Sequence, residues 1–157
     1  MELRRMSEDN GLARLNRRLA AIPKAAREAV QPALKKAGDT LAKDVAHLAQ
    51  RSRDTGDLID SIAVTTAGNA TPPYSQPGGG QVVPENQVLV TVGNTSVRYA
   101  HLVEYGTAPH ENRGEFAGTR HPGTEAQPFF WPAFRLNRKK LARSIKRAVG
   151  KAVKQAR

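Results

Sequence analysis

The 157-residue chain has no cysteine, two methionines, one tryptophan and only eight aromatic residues in all. Without cysteine there is no disulfide framework, no thiol nucleophile and no Cys-containing zinc motif, which suits folding in a reducing cytoplasm. No stretch approaches the roughly eighteen apolar residues of a membrane-spanning helix, and the opening MELRRMSEDN lacks a signal peptide's apolar region. The sequence therefore predicts a protein soluble when made, with no membrane partner. Acid is absent from residues 128–157, which hold ten Lys and Arg; residues 56–127 carry three bases against seven acids, and residues 1–55 twelve against seven. The net charge of +11 is thus concentrated at one end. Such a run suits a polyanion, an acidic partner surface or a solvated helix face.

Length favours one domain over residues 1–157, large enough to bury a core without covalent staples. Leu12, Leu15, Leu19 and Ile22, then Val30, Leu34, Ala37, Leu41, Val45 and Leu48, recur at three- and four-residue intervals, the stripe of amphipathic helices across about 8–52. Pro23 interrupts the stripe, and Pro32 predicts a kink or a late start, because proline removes a backbone donor and clashes with the preceding turn. Asp54 or Thr55 can cap a short helix through Asp60. Ser61–Thr66 and Gln87–Val92 alternate in β-branched residues, with Ile62, Val64 and Thr66 on one face of the first and Val88, Val90 and Val92 on one face of the second. Between them, about 67–86 is Gly- and Pro-rich and reads as a long arm or loose tip. VRYAHLVEYGT fits strand or short helix, a second irregular arm spans about 108–127, and a basic helix covers about 132–155 through Phe134, Leu141, Ile145, Ala148, Val149 and Ala152. The fold class is α+β: long N-terminal helices, a small mostly antiparallel sheet at about 61–107 with long arms, and a basic C-terminal helix.

Catalytic signatures are missing. His47, His101, His110 and His121 match no zinc-ligand spacing. Asp60, Ser61 and His101 supply the residue types of a hydrolase triad without a G-x-S-x-G elbow. Gly78-Gly79-Gly80 lacks the G-K-[ST] ending of a phosphate cradle. No residue takes a catalytic, metal or cofactor-binding role, and no cofactor is expected. The basic helix offers Arg138, Lys139, Lys140, Arg143, Lys146, Arg147 and Lys151 for sequence-independent DNA contact by counterion release, or for an acidic protein. Six of the eight aromatics lie in YAHLVEYGT and AQPFFWPAF, which mark core or interface; Trp131 suits a subunit anchor.

Three blocks stand in order: Asp54-Thr55-Gly56 with Leu58 and Ser61 in DTGDLIDSI; Tyr99, Glu104, Tyr105 and Gly106 in YAHLVEYGT; and Gln127, Pro128 and Phe129 in AQPFFWPAF. Together they resemble the tail-component and neck-protein family of long-tailed double-stranded-DNA bacteriophages. The resemblance implies a non-enzymatic virion structural protein at the head–tail junction, assembled in the bacterial host cytoplasm. It would form or complete a hexameric or twelvefold ring as tail-completion, tail-terminator or connector protein. Implied partners are further copies of itself, neighbouring connector, terminator or tail-tube proteins, and packaged DNA along the basic helix. Ring assembly would give the two arms neighbours to reach, although they are longer than the family pattern needs. Within the blocks, Asp54, Thr55 and Gly56 would shape the turn after the long helix. Glu104, if buried, must accept hydrogen bonds from backbone or a basic side chain. The alternative reading is a small basic nucleic-acid-binding protein acting through its C-terminal helix.

Overall fold

The structure, a computed structural model, describes residues 24–155. In order it contains helix α1 (Lys24–Ala49), a 3-10 turn (Gln50–Ser52), short helix α2 (Asp57–Asp60), strands β1 (Ala63–Thr66) and β2 (Val88–Thr91), and helix α3 (Ala100–Tyr105). Strand β3 (His110–Glu111), a second 3-10 turn (Gly114–Phe116), strand β4 (Arg120–His121) and helix α4 (Phe130–Gln155) complete it. The α+β class is as the sequence predicts. The stripe Leu12, Leu15, Leu19 and Ile22, with Pro23, lies outside the described residues.

The spacing of Leu34, Ala37, Leu41, Val45 and Ala49 keeps one face of α1 inward, and all five are buried. Pro32 does not delay the helix, which is already helical from Lys24. The proline lies on the exposed side, where it removes one backbone bond while the packed turns beyond it hold the helix. Just past α1, the Ser52 hydroxyl donates to Gln127 Oε1 at 2.7 Å, just before α4. The two helices leave this point side by side and pack along their length as an antiparallel pair. Alanines make that approach close: Ala49 and Ala133 are wholly buried and Ala152 nearly so. Leu41, Val45, Leu58, Val92, Val97, Ala100 and Phe129 complete the core, flanked by Phe134 and Leu141.

Strands β1 and β2 pair antiparallel, Val64 opposite Val90 and Thr66 opposite Val88. Their valines reach α1 where it has no side chain: a Cβ on Gly38 would lie 2.8 Å from Val64 Cγ1 and 3.1 Å from Val88 Cγ2. Glycine weakens a helix interior, and here it lets the sheet sit against the helix backbone. β1 starts at Ala63, not Ser61, because Ser61 and Ile62 close α2 through bonds to the carbonyls of Asp57 and Ile59. Gly56, at φ +104°, holds the N-cap position of α2, and the Thr55 hydroxyl just before it accepts the Asp57 N–H at 3.3 Å, so of the two expected caps Thr55 serves the helix start.

The Gly/Pro-rich segment between the strands folds back on its own subunit instead of projecting. Gln76 and Val92 exchange backbone bonds of 2.8 and 2.9 Å, and Ala70 bridges Val82. The Thr71 hydroxyl donates to the Gly78 carbonyl at 3.0 Å and accepts the Gln81 N–H at 3.1 Å. Thr71, Ser75 and Val83 are all but fully buried. A few buried side chains therefore order a segment whose composition reads as loose. VRYAHLVEYGT resolves as helix α3, and the second arm carries the β3–β4 hairpin, His110 opposite His121, closed by a Thr107–Thr124 bridge.

Candidate assembly interface

α4 opens at Phe130, two residues before the position read from its stripe, and a side chain from another helix explains why. The first turn of any helix leaves backbone N–H groups without intrahelical partners. Here Glu104 of α3 takes them: its Oε2 accepts the N–H groups of Phe129 at 2.8 Å and Phe130 at 2.9 Å, and its Oε1 accepts that of Trp131 at 3.1 Å. The next residue, Pro132, has no N–H to satisfy. One carboxylate thus meets the donors of the helix start and places negative charge at the positive end of the macrodipole. Glu104 is buried and meets the expectation of backbone donors. In the same way Gln127 donates its N–H to the Val103 carbonyl at 2.8 Å while its side chain holds Ser52. The second and third blocks are therefore two halves of one joint.

Gly106 makes that joint possible. At φ +70° and ψ −179° it occupies backbone space that is essentially glycine's alone. A Cβ there would stand 2.5 Å from the Thr124 carbonyl oxygen and 2.8 Å from the Ala126 nitrogen. The first block serves the same core from the other side. Leu58 is buried, and the buried Ser61 hydroxyl donates to the Leu58 carbonyl at 2.7 Å and accepts the Gly93 N–H at 3.0 Å, joining α2 to the end of β2. Thr55 Oγ1 donates to Asp57 Oδ2 at 2.7 Å, and Asp54 is exposed.

The aromatics divide between core and surface. Phe129 is 1% exposed, whereas Tyr99 and Tyr105 remain 40% and 66% exposed, so YAHLVEYGT contributes less to the core than its composition suggests. Trp131 is half-buried, stands edge-on to Phe130 and Phe134, and donates Nε1–H to the Tyr105 hydroxyl at 2.7 Å. Between α3, the start of α4 and the folded-back segment lies a mostly apolar crevice of about 170 Å³. Its walls include Pro77, Val92, Ala100, Phe130 and Trp131, with Gln76 and Glu104 also lining it. Pro128 is exposed at the rim of the joint.

Along α4, Arg138, Lys139, Lys140, Arg143, Lys146, Arg147 and Lys151 are all exposed, and the apolar stripe faces α1. The guanidiniums of Arg143 and Arg147 lie back along the helix, bonding the carbonyls of Lys139 and Arg143. Leu136 breaks the pattern: it is 78% exposed, on the basic side. Sequence reasoning passed over it, although a leucine off the apolar stripe and beside Arg and Lys was the available signal. It also passed over Gln76, whose role depends on a chain reversal that no local pattern announces.

Ser61 is committed to backbone bonds. His110 and His121 stack at 5.1 Å on the hairpin, His110 Nδ1 against the Ala108 carbonyl and His121 Nδ1 accepting the Gly123 N–H. Among the described residues no three metal-ligating side chains converge, and no helix is long and apolar enough to cross a membrane.

Comparison with known protein families matches residues 13–106 to the HK97-gp10-like family, described as "Bacteriophage HK97-gp10, putative tail-component". The match takes in more than half of the chain, and the chain belongs to this bacteriophage tail-component family. It includes the first block and reaches Gly106 in the second; the third block and α4 lie beyond it. No curated protein and no solved structure matches the chain.

Proposed function

We propose that this phage tail-component protein is a non-enzymatic part of the virion, located at the head–tail junction. There it forms or completes a ring in the neck or at the head-proximal end of the tail, assembled in the host cytoplasm. The family match carries the reading. The architecture supports it: Glu104 and Gln127 tie α4 to the α3 joint, so the basic helix is presented as a fixed outward surface rather than a loose tail. A ring of identical subunits repeats that surface around an axis, which suits contact with a neighbouring connector, terminator or tail-tube layer. The folded-back 67–86 segment favours a compact subunit, so ring contacts fall to helix faces and the joint more than to an extended arm.

A second reading is favoured by the exposed cations of α4: they touch packaged DNA through its phosphates, independently of sequence. Deleting the gene from the phage and viewing the lysate by electron microscopy tests the main reading. Separate filled heads and tails are expected. Normal joined particles would refute it, and a defect in DNA retention alone would favour the second reading.

A further inference from the structure

We propose that the base of the β3–β4 hairpin is a proton-operated latch: neutral His121 and His110 hold the hairpin closed, and acid releases it. The hairpin carries Phe116, 66% exposed, in its connecting turn, so the latch decides whether that aromatic is held in one fixed place. The two rings play different parts. His121 Nδ1 accepts the Gly123 N–H at 3.0 Å, so that nitrogen is unprotonated. His110 Nδ1 stands 3.0 Å from the Ala108 carbonyl, which can only accept, so that nitrogen carries the proton. A second proton on His110 goes to Nε2 and leaves its bond intact. A second proton on His121 goes to Nδ1, turns the acceptor into a donor and ends the bond to Gly123. The same assignment argues against a metal held between the rings, since freeing His121 Nε2 moves its proton to Nδ1, against the Gly123 N–H.

The Gly123 bond guards the way into the hairpin. Gly123 sits at φ +87°, where a Cβ would meet the Thr107 carbonyl oxygen. The next residue, Thr124, exchanges backbone bonds of 3.0 and 3.1 Å with Thr107, and beyond the histidines the Asn112 N–H donates to the Thr119 carbonyl at 2.8 Å. Each strand is only two residues long, so few bonds keep the hairpin shut and one lost acceptor is a large share of them.

His110 and His121 also stand opposite each other in register, with ring centroids 5.1 Å apart. Neutral imidazoles stack at that distance, and two imidazolium ions repel. Around them, Arg51 from the turn after α1, Tyr99 at the start of α3 and Glu125 line one crevice with both histidines. Glu111 and Arg113 flank His110 on its other side, and Arg120 lies opposite Glu111. Three arginines against two glutamates give a doubly charged pair no net counter-charge. The closed hairpin therefore binds fewer protons than the open one, and its closure strengthens as pH rises and weakens as pH falls.

Amide hydrogen exchange of the full chain, followed by NMR at about pH 8 and about pH 5 and corrected for the intrinsic rate, tests the latch. In acid, protection of the Asn112, Gly123 and Thr124 N–H groups should fall about tenfold or more relative to that of Val92, whose bond to Gln76 involves no histidine. His121→Asn offers a side-chain oxygen to the same N–H two residues on, without titrating, and should keep the hairpin protected at both pH values. His110→Phe keeps a ring in the stack and removes one charge, so a smaller acid loss should remain. Equal protection of wild type at both pH values would overturn the proposal, as would a loss shared equally by Val92. His121→Asn as acid-sensitive as wild type would contradict it too, and so would abolition of the effect by His110→Phe, because the bond that breaks belongs to His121.

Discussion

Replacing Glu104 by Gln changes one oxygen to NH₂ and leaves shape and volume almost untouched, so its cost isolates the electrostatic clamp on α4. With the amide oxygen at the Oε2 position, Phe129 and Phe130 keep a neutral acceptor while the Trp131 N–H, now 3.1 Å from an NH₂, faces another donor. Losing that bond in a part-buried site costs about 1–2 kcal/mol. Removing the negative charge from the helix start, with its strengthening of the other two bonds, adds about 1 kcal/mol. The expected loss is therefore about 2–3 kcal/mol, or about 4–12 °C in melting temperature for a chain of this size. Urea unfolding followed by far-UV circular dichroism should show a lower midpoint and an unchanged slope. Glu125→Gln, at an exposed position, serves as control and should stay within about 0.5 kcal/mol of wild type. A Glu104→Gln variant within that same margin would refute the clamp.

Gly106→Ala should destabilise by about 2–4 kcal/mol, since it adds a backbone clash to a conformation alanine avoids; a melting temperature equal to wild type would contradict the geometry. Ser61→Ala should cost about 1–2 kcal/mol in the same urea assay, because it leaves the buried Gly93 N–H without its acceptor. Reversing Arg143, Lys146 and Arg147 to Glu should leave the melting temperature within about 2 °C, as all three are exposed, while lowering the yield of joined particles in a complementation assay. Normal joining by the triple variant would count against the outward face of α4 as a contact.

The helices were legible because their periodicity is long: α1 from Leu34 to Ala49 and α4 from Phe134 to Ala152 repeat their apolar residues over several turns. The strand pair was legible from β-branched alternation, with boundaries displaced by one or two residues where α2 ends and where the chain crosses to Gln76. What the sequence hid was non-local. The start of α4 is set by Glu104, some 25 residues upstream, and no pattern within AQPFFWPAF reports it. The 67–86 segment is rich in Gly and Pro, yet the Thr71 hydroxyl and the Val83 side chain fold it down. Its order depends on a strand edge that exists only in the folded chain. Glu104 itself was identified as a carboxylate in need of donors, since buried acids are costly alone, but not which donors. Leu136 stands off the apolar stripe among cations, so its 78% exposure follows from its place on the helix face rather than from its residue type.

The proposed place in a ring at the head–tail junction requires that this chain be present in purified virions in a fixed copy number. Quantitative mass spectrometry of purified particles, calibrated against a subunit of known stoichiometry, tests it most directly. A fixed low number, about six or twelve copies per particle as the resemblance to phage neck proteins implies, is predicted for a closed ring. Absence of the chain from intact, infectious particles would contradict it.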